Sequence, residues 1–518
     1  MEHGANVPKE RLARLRKRAD VWEGGRMELE DPQNARILSI DVGSSSVRAG
    51  LYDGTGEDLD GTEVKLDYDF EYTPDGGASK DADELLNLVA GAVDGALSRA
   101  EEATISGVAM STFWHSVLGV DRAGRPTTPI LTWADRRAAQ SASDLRERVD
   151  ERAYHRRTGC VLHSSYWPAK LMWSESTMPE AVENAEHWVS PADYFYARFF
   201  GEPYRVGTSM ASATGLFDQN GKRWDGEILE ALPVEEANLS LVSDEPRRGL
   251  NEEWAERWPV LRDVPWCPAA GDGACSNVGS GCTESDRLAL MVGTSGAMRV
   301  LWKADSVEIP DGPWCYRSDA EHYVMGGALS DGGNLIEWLR NTLRLPQPEE
   351  IEQLLSQMEP DSHGLTFLPL LAGERGPGWA DLANGTIAGL SMSTRPVEIL
   401  RAAMEAVAYR FAMIANTLET ASPGEKQVIA SGGGLINSPT WTQIMSDTLG
   451  KPVTLTSVKE ASSRGAALLA LQALGGPKIE ATKAPPGKTF HPNPDRHKTY
   501  RQALERQRQL YDAVLEGS

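Results

Sequence analysis

Residues Ile37–Asp53 read Ile-Leu-Ser-Ile-Asp-Val-Gly-Ser-Ser-Ser-Val-Arg-Ala-Gly-Leu-Tyr-Asp. Two apolar, strand-like runs, Ile37–Ile40 and Val47–Tyr52, flank one acid, one glycine and three serines. Gly43 suits a turn that a Cβ would oppose. Ser44, Ser45 and Ser46 offer amide N–H groups and hydroxyls to an anion, the equipment of a phosphate-cradling turn. Asp41, at the end of the first strand, is placed to hold a hydrated Mg2+, an ion that takes one or two carboxylates together with phosphate oxygens. An ordinary hairpin with a polar turn has the same composition, so the segment does not decide the matter alone.

A second segment echoes the first. Val292-Gly293-Thr294-Ser295 matches Val42-Gly43-Ser44-Ser45; each lies between apolar runs and each is followed by an arginine, Arg299 and Arg48. Two such units half a chain apart predict a duplicated α/β domain, its two turns facing each other across a cleft. Other chemistry-bearing residues punctuate the chain. Asp272 stands between Gly271 and Gly273, a common turn composition. A polar cluster, Ser111–Ser116, ends the strand Ile105–Met110 and includes Trp114 and His115; Ile130–Arg137 carries Trp133, Asp135 and Arg137. Val428–Ala430 runs into Ser431-Gly432-Gly433-Gly434 and then Asn437, a strand-to-helix passage that brings backbone close to a ligand.

The elements that must position these residues are legible from periodicity. Leu85, Leu88, Val89, Ala92, Val93 and Leu97 recur at helical spacing over Asp81–Ala100. Gly326–Gly333 reads as punctuation before a helix with Ile336, Trp338 and Leu339. Pro396–Leu418 and Tyr500–Leu515 read as helices, and Ala461–Leu474 as a small-residue helix suited to close packing. Pro477–Pro494 reads as a surface wrap. Within it Pro486-Gly487-Lys488-Thr489 mimics the tail of a P-loop, but Thr482 stands where the first glycine belongs.

A chain of 518 residues exceeds one ordinary core, so two or three domains are expected. Apolar content of 41% with 25% charged residues is that of a soluble globular protein. No apolar run is long enough to span a membrane, and the charged N-terminus is no secretory signal. The five cysteines include no Cys-x-x-Cys pair, which fits a reducing cytoplasm and no zinc knuckle. A net charge of −23 argues against a nucleic-acid partner. The one basic concentration, Lys9 to Arg18, falls in a leader of residues 1–36, read as a helical arm or a solvated tail.

Taken in order, these segments resemble the FGGY carbohydrate kinases of the actin-like ATPase superfamily, from Ile37 to the final helix. The hairpin matches the family's first phosphate motif and Gly293-Thr294-Ser295-Gly296 its second. Trp133-Ala-Asp135-Arg-Arg137, Gly271-Asp272-Gly273, Gly373-Glu374-Arg375 through Trp379, and Gly432–Asn437 complete the set. Within the family, His115-Ser116-Val117, Ile130–Arg137 and Thr158-Gly159 with His163 look most like gluconokinases. Xylulokinases share a histidine like His115, whereas glycerol kinases place Arg-Glu where this chain has Trp114-His115. Phe113-Trp114 is bulkier than the pair usual before the histidine, and Ser164-Ser165-Tyr166-Trp167 is also unusual, which leaves the polyol open.

The resemblance implies an α/β fold of two actin-like, ribonuclease H-like domains, each a mixed sheet flanked by helices. Residues 37–284 would carry the sugar site, first phosphate motif and catalytic aspartate; residues 285–518 would carry the second phosphate motif and the adenosine site. The reaction implied is transfer of the γ-phosphate of ATP, with Mg2+, to a hydroxyl of a sugar or sugar acid, D-gluconate first. Xylulose or another polyol is the nearest alternative, and a non-catalytic sugar sensor or ATPase switch a more distant one. Carried over residue by residue, Asp272 is the catalytic base and Asp41 holds Mg2+ through water. Gly43, Ser44, Ser45, Arg48, Gly293 and Thr294 contact phosphate, while Gly333, Gly433, Gly434 and Asn437 line the adenosine. His115 and Asp135 bond the sugar against a wall formed by Trp133, with His163 and Tyr166 beside them. Arg136 or His163 is a candidate for the carboxylate, and Glu374 with Arg375 for a pair bridging the domains. A small-molecule sugar is the implied partner, with no membrane or nucleic acid, a homodimer by analogy, and closure of the cleft on sugar binding.

Overall fold

Ile37, Leu38, Ile40 and Val42 are buried on both faces, which makes Arg36–Val42 (β1) a central strand rather than the arm of a surface hairpin. The structure is a computed structural model that describes residues 29, 31–100, 103–380, 383–422, 424–483 and 487–515. The basic cluster of the leader lies outside the described residues. At the leader's end, the Leu29 amide donates to the Leu474 carbonyl at 3.0 Å.

On one side of β1 run the antiparallel strands Ser46–Asp53 (β2) and Val64–Asp67 (β3). On the other run the parallel strands Gly107–Thr112 (β4) and Ala270–Gly271 (β5), giving the order β5-β4-β1-β2-β3. The second sheet is built from Arg287–Val292 (β6), Gly296–Lys303 (β7), Trp314–Arg317 (β8), His322–Leu329 (β9), Gln427–Ser431 (β10), Val453–Leu455 (β11) and Thr489–Phe490 (β12). Its order is β8-β9-β7-β6-β10-β11-β12. The five strands β9-β7-β6-β10-β11 repeat the first sheet's directions: two antiparallel pairs on one side of β6, two parallel pairs on the other. The duplicated domain expected from the two hairpins is therefore present, with the ribonuclease H-like topology that the resemblance implied.

The registers of the two hairpins differ in detail. Asp41 pairs with Arg48 across the first, while Arg299 pairs with Ala289 across the second. The two arginines that seemed equivalent sit at different distances from their turns, and Met291 stands beside the second turn where the first has an acid. The Gly326–Gly333 run is also not all punctuation. Gly326 and Gly327 lie inside β9, where a Cβ would come 2.5 Å from the Met298 carbonyl oxygen and 2.7 Å from Ile414.

Helices cover both sheets. Ala82–Arg99 (α1) is capped by Asp81, whose carboxylate accepts the Glu84 amide, and buries Leu85, Leu86, Val89, Ala90 and Val93. Asp272–Gly279 (α2) follows β5 directly. Gly333–Thr342 (α3) and Pro396–Ala421 (α4) serve the second domain, with Pro494–Leu515 (α6) packed along α4. Ala461–Ala473 (α5) comes late in the chain yet packs on β1 and β4 of the first sheet. Ala466, Ala467, Leu468 and Leu471 join the N-terminal core, and Ser39 donates to the Ser463 carbonyl at 2.7 Å. All five cysteines are buried and free, and no described helix is long and apolar enough to cross a membrane.

The small residues of α5 have a specific purpose. A Cβ on Gly465 would collide with the Cys275 carbonyl of α2, and a Cβ on Gly279 with the Ala461 carbonyl of α5. The two helices touch backbone to backbone, and α2 begins with Asp272. Gly465→Ala should therefore force α2 aside and lower the thermal midpoint by roughly 2–10 °C, the range expected of overpacking. Gly226→Ala, where an added Cβ meets nothing within 4 Å, should stay within about 1 °C. Equal midpoints for the two variants would refute the contact.

Candidate active site

Parallel strands deliver their following residues to one edge. β1, β4 and β5 run the same way, with Asp41 paired to Ser111 and Thr112 to Gly271. Their carboxyl ends thus bring together Asp41, the Phe113–Ser116 cluster and Asp272, the place where open α/β sheets bind ligands. Asp41 is buried, its pKa pushed up to about 6 mainly by desolvation, with Asp272 and Glu460 adding repulsion. Arg48 offsets this only weakly, 3.9 Å from Asp41 and 3.4 Å from Glu460. Ser111 lies beside Asp41 outside hydrogen-bond geometry, and Oδ1 of Asp41 has no hydrogen-bond partner. Burial also raises the Asp272 pKa, opposed by the Arg299 charge, the Gly273 amide (2.7 Å) and Arg375. The orphaned buried oxygen of Asp41, with Asp272 and Glu460 within electrostatic reach, suits a hydrated divalent cation such as Mg2+.

The glycines flanking Asp272 answer to a neighbour. A Cβ on Gly271 would collide with the indole of Trp114, and one on Gly273 would come 2.5 Å from its Cζ3. Trp114 itself is held by Nε1 donating to the Ser209 carbonyl at 3.1 Å, while the Gly271 amide donates to Ser209 Oγ. The bulky Phe113-Trp114 pair and the bare Gly-Asp-Gly loop are two halves of one packing arrangement.

The two phosphate-type turns are built differently. In the first, the Gly43 amide donates to the Ser46 carbonyl, Tyr68 donates to the Gly43 carbonyl, and Ser44 Oγ accepts Trp133 Nε1 at 3.0 Å. In the second, Gly293 donates to the Ser295 carbonyl, and the Gly333 and Asn334 amides donate to Gly293 and Thr294. Gly333 thus supports the Gly293–Thr294 turn, and a Cβ there would meet the Gly293 carbonyl oxygen at 2.5 Å. Beyond β10, Gly432 has φ 92° and no room against Val292, and Gly434 is crowded by Val292 and Trp441. Packing accounts for those two. Gly433 is exposed, its missing side chain facing only Asn437 Nδ2 at 3.5 Å, which is the one glycine of the three left for a ligand.

The remaining predicted residues form a polar and aromatic wall. His115 takes an unusual φ of 66°, is buried, and its Nδ1–H donates to the Ala213 carbonyl at 2.6 Å. Burial, with Arg375 nearby, holds its pKa well below the usual value, so the ring is neutral with Nε2 as an acceptor. The His115 ring lies 4.9 Å from Tyr166 and 5.4 Å from Tyr316, and the two tyrosine hydroxyls share a hydrogen bond. His163 packs against Trp379 at 5.5 Å. Asp135 is buried and gripped by Arg137 (2.5 and 3.0 Å), which lies over Trp173. Arg136 is exposed, outside this wall. Thr158-Gly159 acts as an anchor: Gly159 caps its helix at φ 67° and accepts the Cys315 amide of β8.

Several further contributors stand here, of which the sequence marks only Arg299, as the arginine after the second phosphate-type turn. Lys170 is buried and donates to the His115 and Ser165 carbonyls (2.9 and 2.7 Å), its pKa lowered by burial to about 7. Arg299 is buried beside Asp272 with Nε and Nη1 unpaired. Trp314 and Tyr316 stack 4.5 Å apart and reach Trp114 at 6.1 and 5.2 Å. The proposed interdomain pair Glu374–Arg375 divides. Glu374 is buried against Arg410, Tyr511 (2.5 Å) and the amides of Gly378 and Ala380, all in the second half of the chain. Arg375 lies over the Trp133 ring at 4.8 Å instead. A cavity of about 710 Å3 elsewhere, lined by Met110, Ala269, His322 and Leu469, includes neither Asp272 nor His115.

Holding Asp41 ionised has a cost. A carboxyl with a folded pKa near 6 instead of 3.8 loses about 3 kcal/mol of fold stability at pH 7. The loss is absent below the unfolded value, where Asp41 is protonated in both states, and grows as pH rises to 6. Asp41→Asn should therefore raise the metal-free thermal midpoint at pH 7 and leave it unchanged near pH 3.5. A variant that melts no higher than wild type at pH 7 would contradict this environment.

The geometry agrees with what the chain resembles. The N-terminal domain model of the FGGY family of carbohydrate kinases matches residues 36–279, and the C-terminal domain model matches residues 288–474. A gluconokinase of Bacillus subtilis (strain 168) is 29% identical over 484 residues, spanning 90% of this chain and 93% of the relative. The solved gluconate kinase of Lactobacillus acidophilus superposes with a TM-score of 0.86 at 26% identity, over 93% of this chain and 100% of that one. The ligand-bound xylulose kinase of the same organism gives the same TM-score and identity, over 93% and 98%. With both domains matched in order across one cleft, this chain belongs to the FGGY family of carbohydrate kinases and is an ATP-dependent sugar kinase of actin-like fold.

Proposed function

We propose that the cleft phosphorylates D-gluconate, giving 6-phosphogluconate and ADP. The observation that carries the acceptor side is the wall of neutral His115, Tyr166 and Tyr316, joined to the Asp272 loop through Trp114. His115 Nε2 accepts a hydrogen bond from a sugar hydroxyl, and Asp135, oriented by Arg137, accepts another. Trp133 closes one side, its N–H tied to Ser44 of the first phosphate turn.

Phosphoryl transfer asks for positioning and charge neutralisation. Asp272 accepts the proton of the attacking hydroxyl as its oxygen bonds to the γ-phosphorus and the bond to the ADP oxygen breaks. The raised Asp272 pKa strengthens it as a base, and the Arg299 charge opposes that rise. The turns at Gly43–Ser45 and Gly293–Thr294 offer amide groups to the phosphates, with Arg48 beside the first. Gly433 and Asn437 leave room for adenosine, with Gly434 and Gly333 shaping the backbone around them. Mg2+, held by Asp41 through water, would neutralise phosphate charge. The neutral reading, a ketopentose such as xylulose, draws support from the equal match to a xylulose kinase structure.

A coupled ADP-release screen over gluconate, xylulose, ribulose and glycerol with Mg-ATP should show the highest kcat/KM for gluconate. Asp272→Asn should lower kcat by roughly 100- to 10,000-fold while nucleotide still raises the thermal midpoint. Turnover near wild type in that variant would remove Asp272 as the base. Silence on every acceptor would favour a sugar sensor.

A further inference from the structure

We infer that Arg375 binds the carboxylate of the acceptor and so selects a sugar acid over a neutral sugar; the inference rests on the gluconate reading above and specifies how this chain would achieve it. The guanidinium lies over the Trp133 ring at 4.8 Å, on the wall assigned to the sugar. Its Nε is buried without a hydrogen-bond partner, and no described carboxylate pairs with it. A buried guanidinium edge left unpaired is costly unless a ligand satisfies it. Stacking on an indole occupies the face of the group and leaves its planar fork free, the geometry that matches a carboxylate with two parallel N–H···O bonds.

Its surroundings favour an anion. Arg375 acts electrostatically on His115, Lys170 and Tyr166 on the acceptor side, as well as on Asp272 and Arg299. Of the acids on that side, Asp135 is already committed to Arg137. His115, the other principal sugar contact, is held neutral and repels no anion.

The backbone that presents Arg375 is fixed independently of it. The preceding Glu374 is locked by Arg410, Tyr511 and two amides of its own loop. Asp331, just before α3, accepts the Ala372 amide at 3.1 Å, so the loop is also tied to the segment beneath the second phosphate turn. An arginine pre-positioned in this way loses little freedom on binding.

The test compares D-gluconate with D-glucitol, its uncharged counterpart, for wild type, Arg375→Gln and Arg375→Lys. In wild type, KM for gluconate should lie well below the inhibition constant for glucitol. Arg375→Gln should raise KM for gluconate roughly 10- to 100-fold, the loss of a charge-assisted pair. Its constants for glucitol and ATP should move by less than about threefold, the pattern of lost binding to one group. Arg375→Lys, which keeps the charge and loses the fork, should fall between. An equal loss for both sugars, or a raised KM for ATP with gluconate unaffected, would overturn the assignment, the latter placing Arg375 on phosphate. A wild-type enzyme that turns over xylulose and ignores gluconate would instead overturn the gluconate reading itself, before any variant is measured.

Discussion

Everything at this site hangs on the contact between α2 and α5. Two helices whose backbones touch at Gly279 and Gly465 cannot slide or rotate without collision, because protein interiors are packed to crystal-like density. α2 begins at Asp272, and α5 lies across β1, whose last turn of sequence holds Asp41. One close approach therefore sets where the proposed base stands relative to the proposed metal carboxylate. A helix from the end of the chain thereby helps to position α2 of the first domain, as Trp114 does from the other end.

Around that fixed geometry the charges are deliberately unfinished. Asp41 has a bare oxygen, Arg299 two bare nitrogens and Arg375 one, while structural ions such as Glu374 and Glu405 are surrounded by partners. Unpaired buried ions lower stability. Glu374 and Glu405 are buried carboxylates surrounded by partners, unlike Asp41. Asp41, Arg299 and Arg375 lie around the proposed site, where phosphate, metal and acceptor would complete them, but unpaired buried atoms also occur on Arg157, Arg247, Arg410, Glu419 and Glu480.

The sequence showed the frame of this site better than its chemistry. Central strands such as β1 announce themselves as unbroken apolar runs, and α1 by its 3.6-residue period, because both are local consequences of burial. The duplicated hairpin was legible for the same reason. What was not legible was tertiary in origin. Gly271 and Gly273 look like turn residues, yet the atom that forbids a Cβ belongs to Trp114, far away in the chain. Gly326 and Gly327 look like breakers but are small because Met298 and Ile414 press on a strand. Glu374 and Arg375 are neighbours, so they read as one pair; the fold turns one into a buried strut and the other toward Trp133. Lys170 carries no local signal, being an ordinary residue of a helix until its neighbours are known, and Arg299 was legible only as the arginine after the second turn, not as a neighbour of Asp272.

The acceptor wall carries a final consequence. Its members come from both halves of the chain: His115, His163 and Tyr166 from the first, Tyr316, Trp314 and Trp379 from the second. The Tyr166–Tyr316 hydrogen bond, the Trp114 contacts and the Gly159–Cys315 backbone bond all cross between them. The wall can exist only in one relative placement of the two halves, and any separation exposes the aromatic faces and floods the Asp272 loop with water. A kinase must keep water from taking the place of its acceptor hydroxyl, since water is always present in excess. In the proposed reaction that exclusion falls to the same wall, because the residues assigned to the acceptor also join the two halves of the chain.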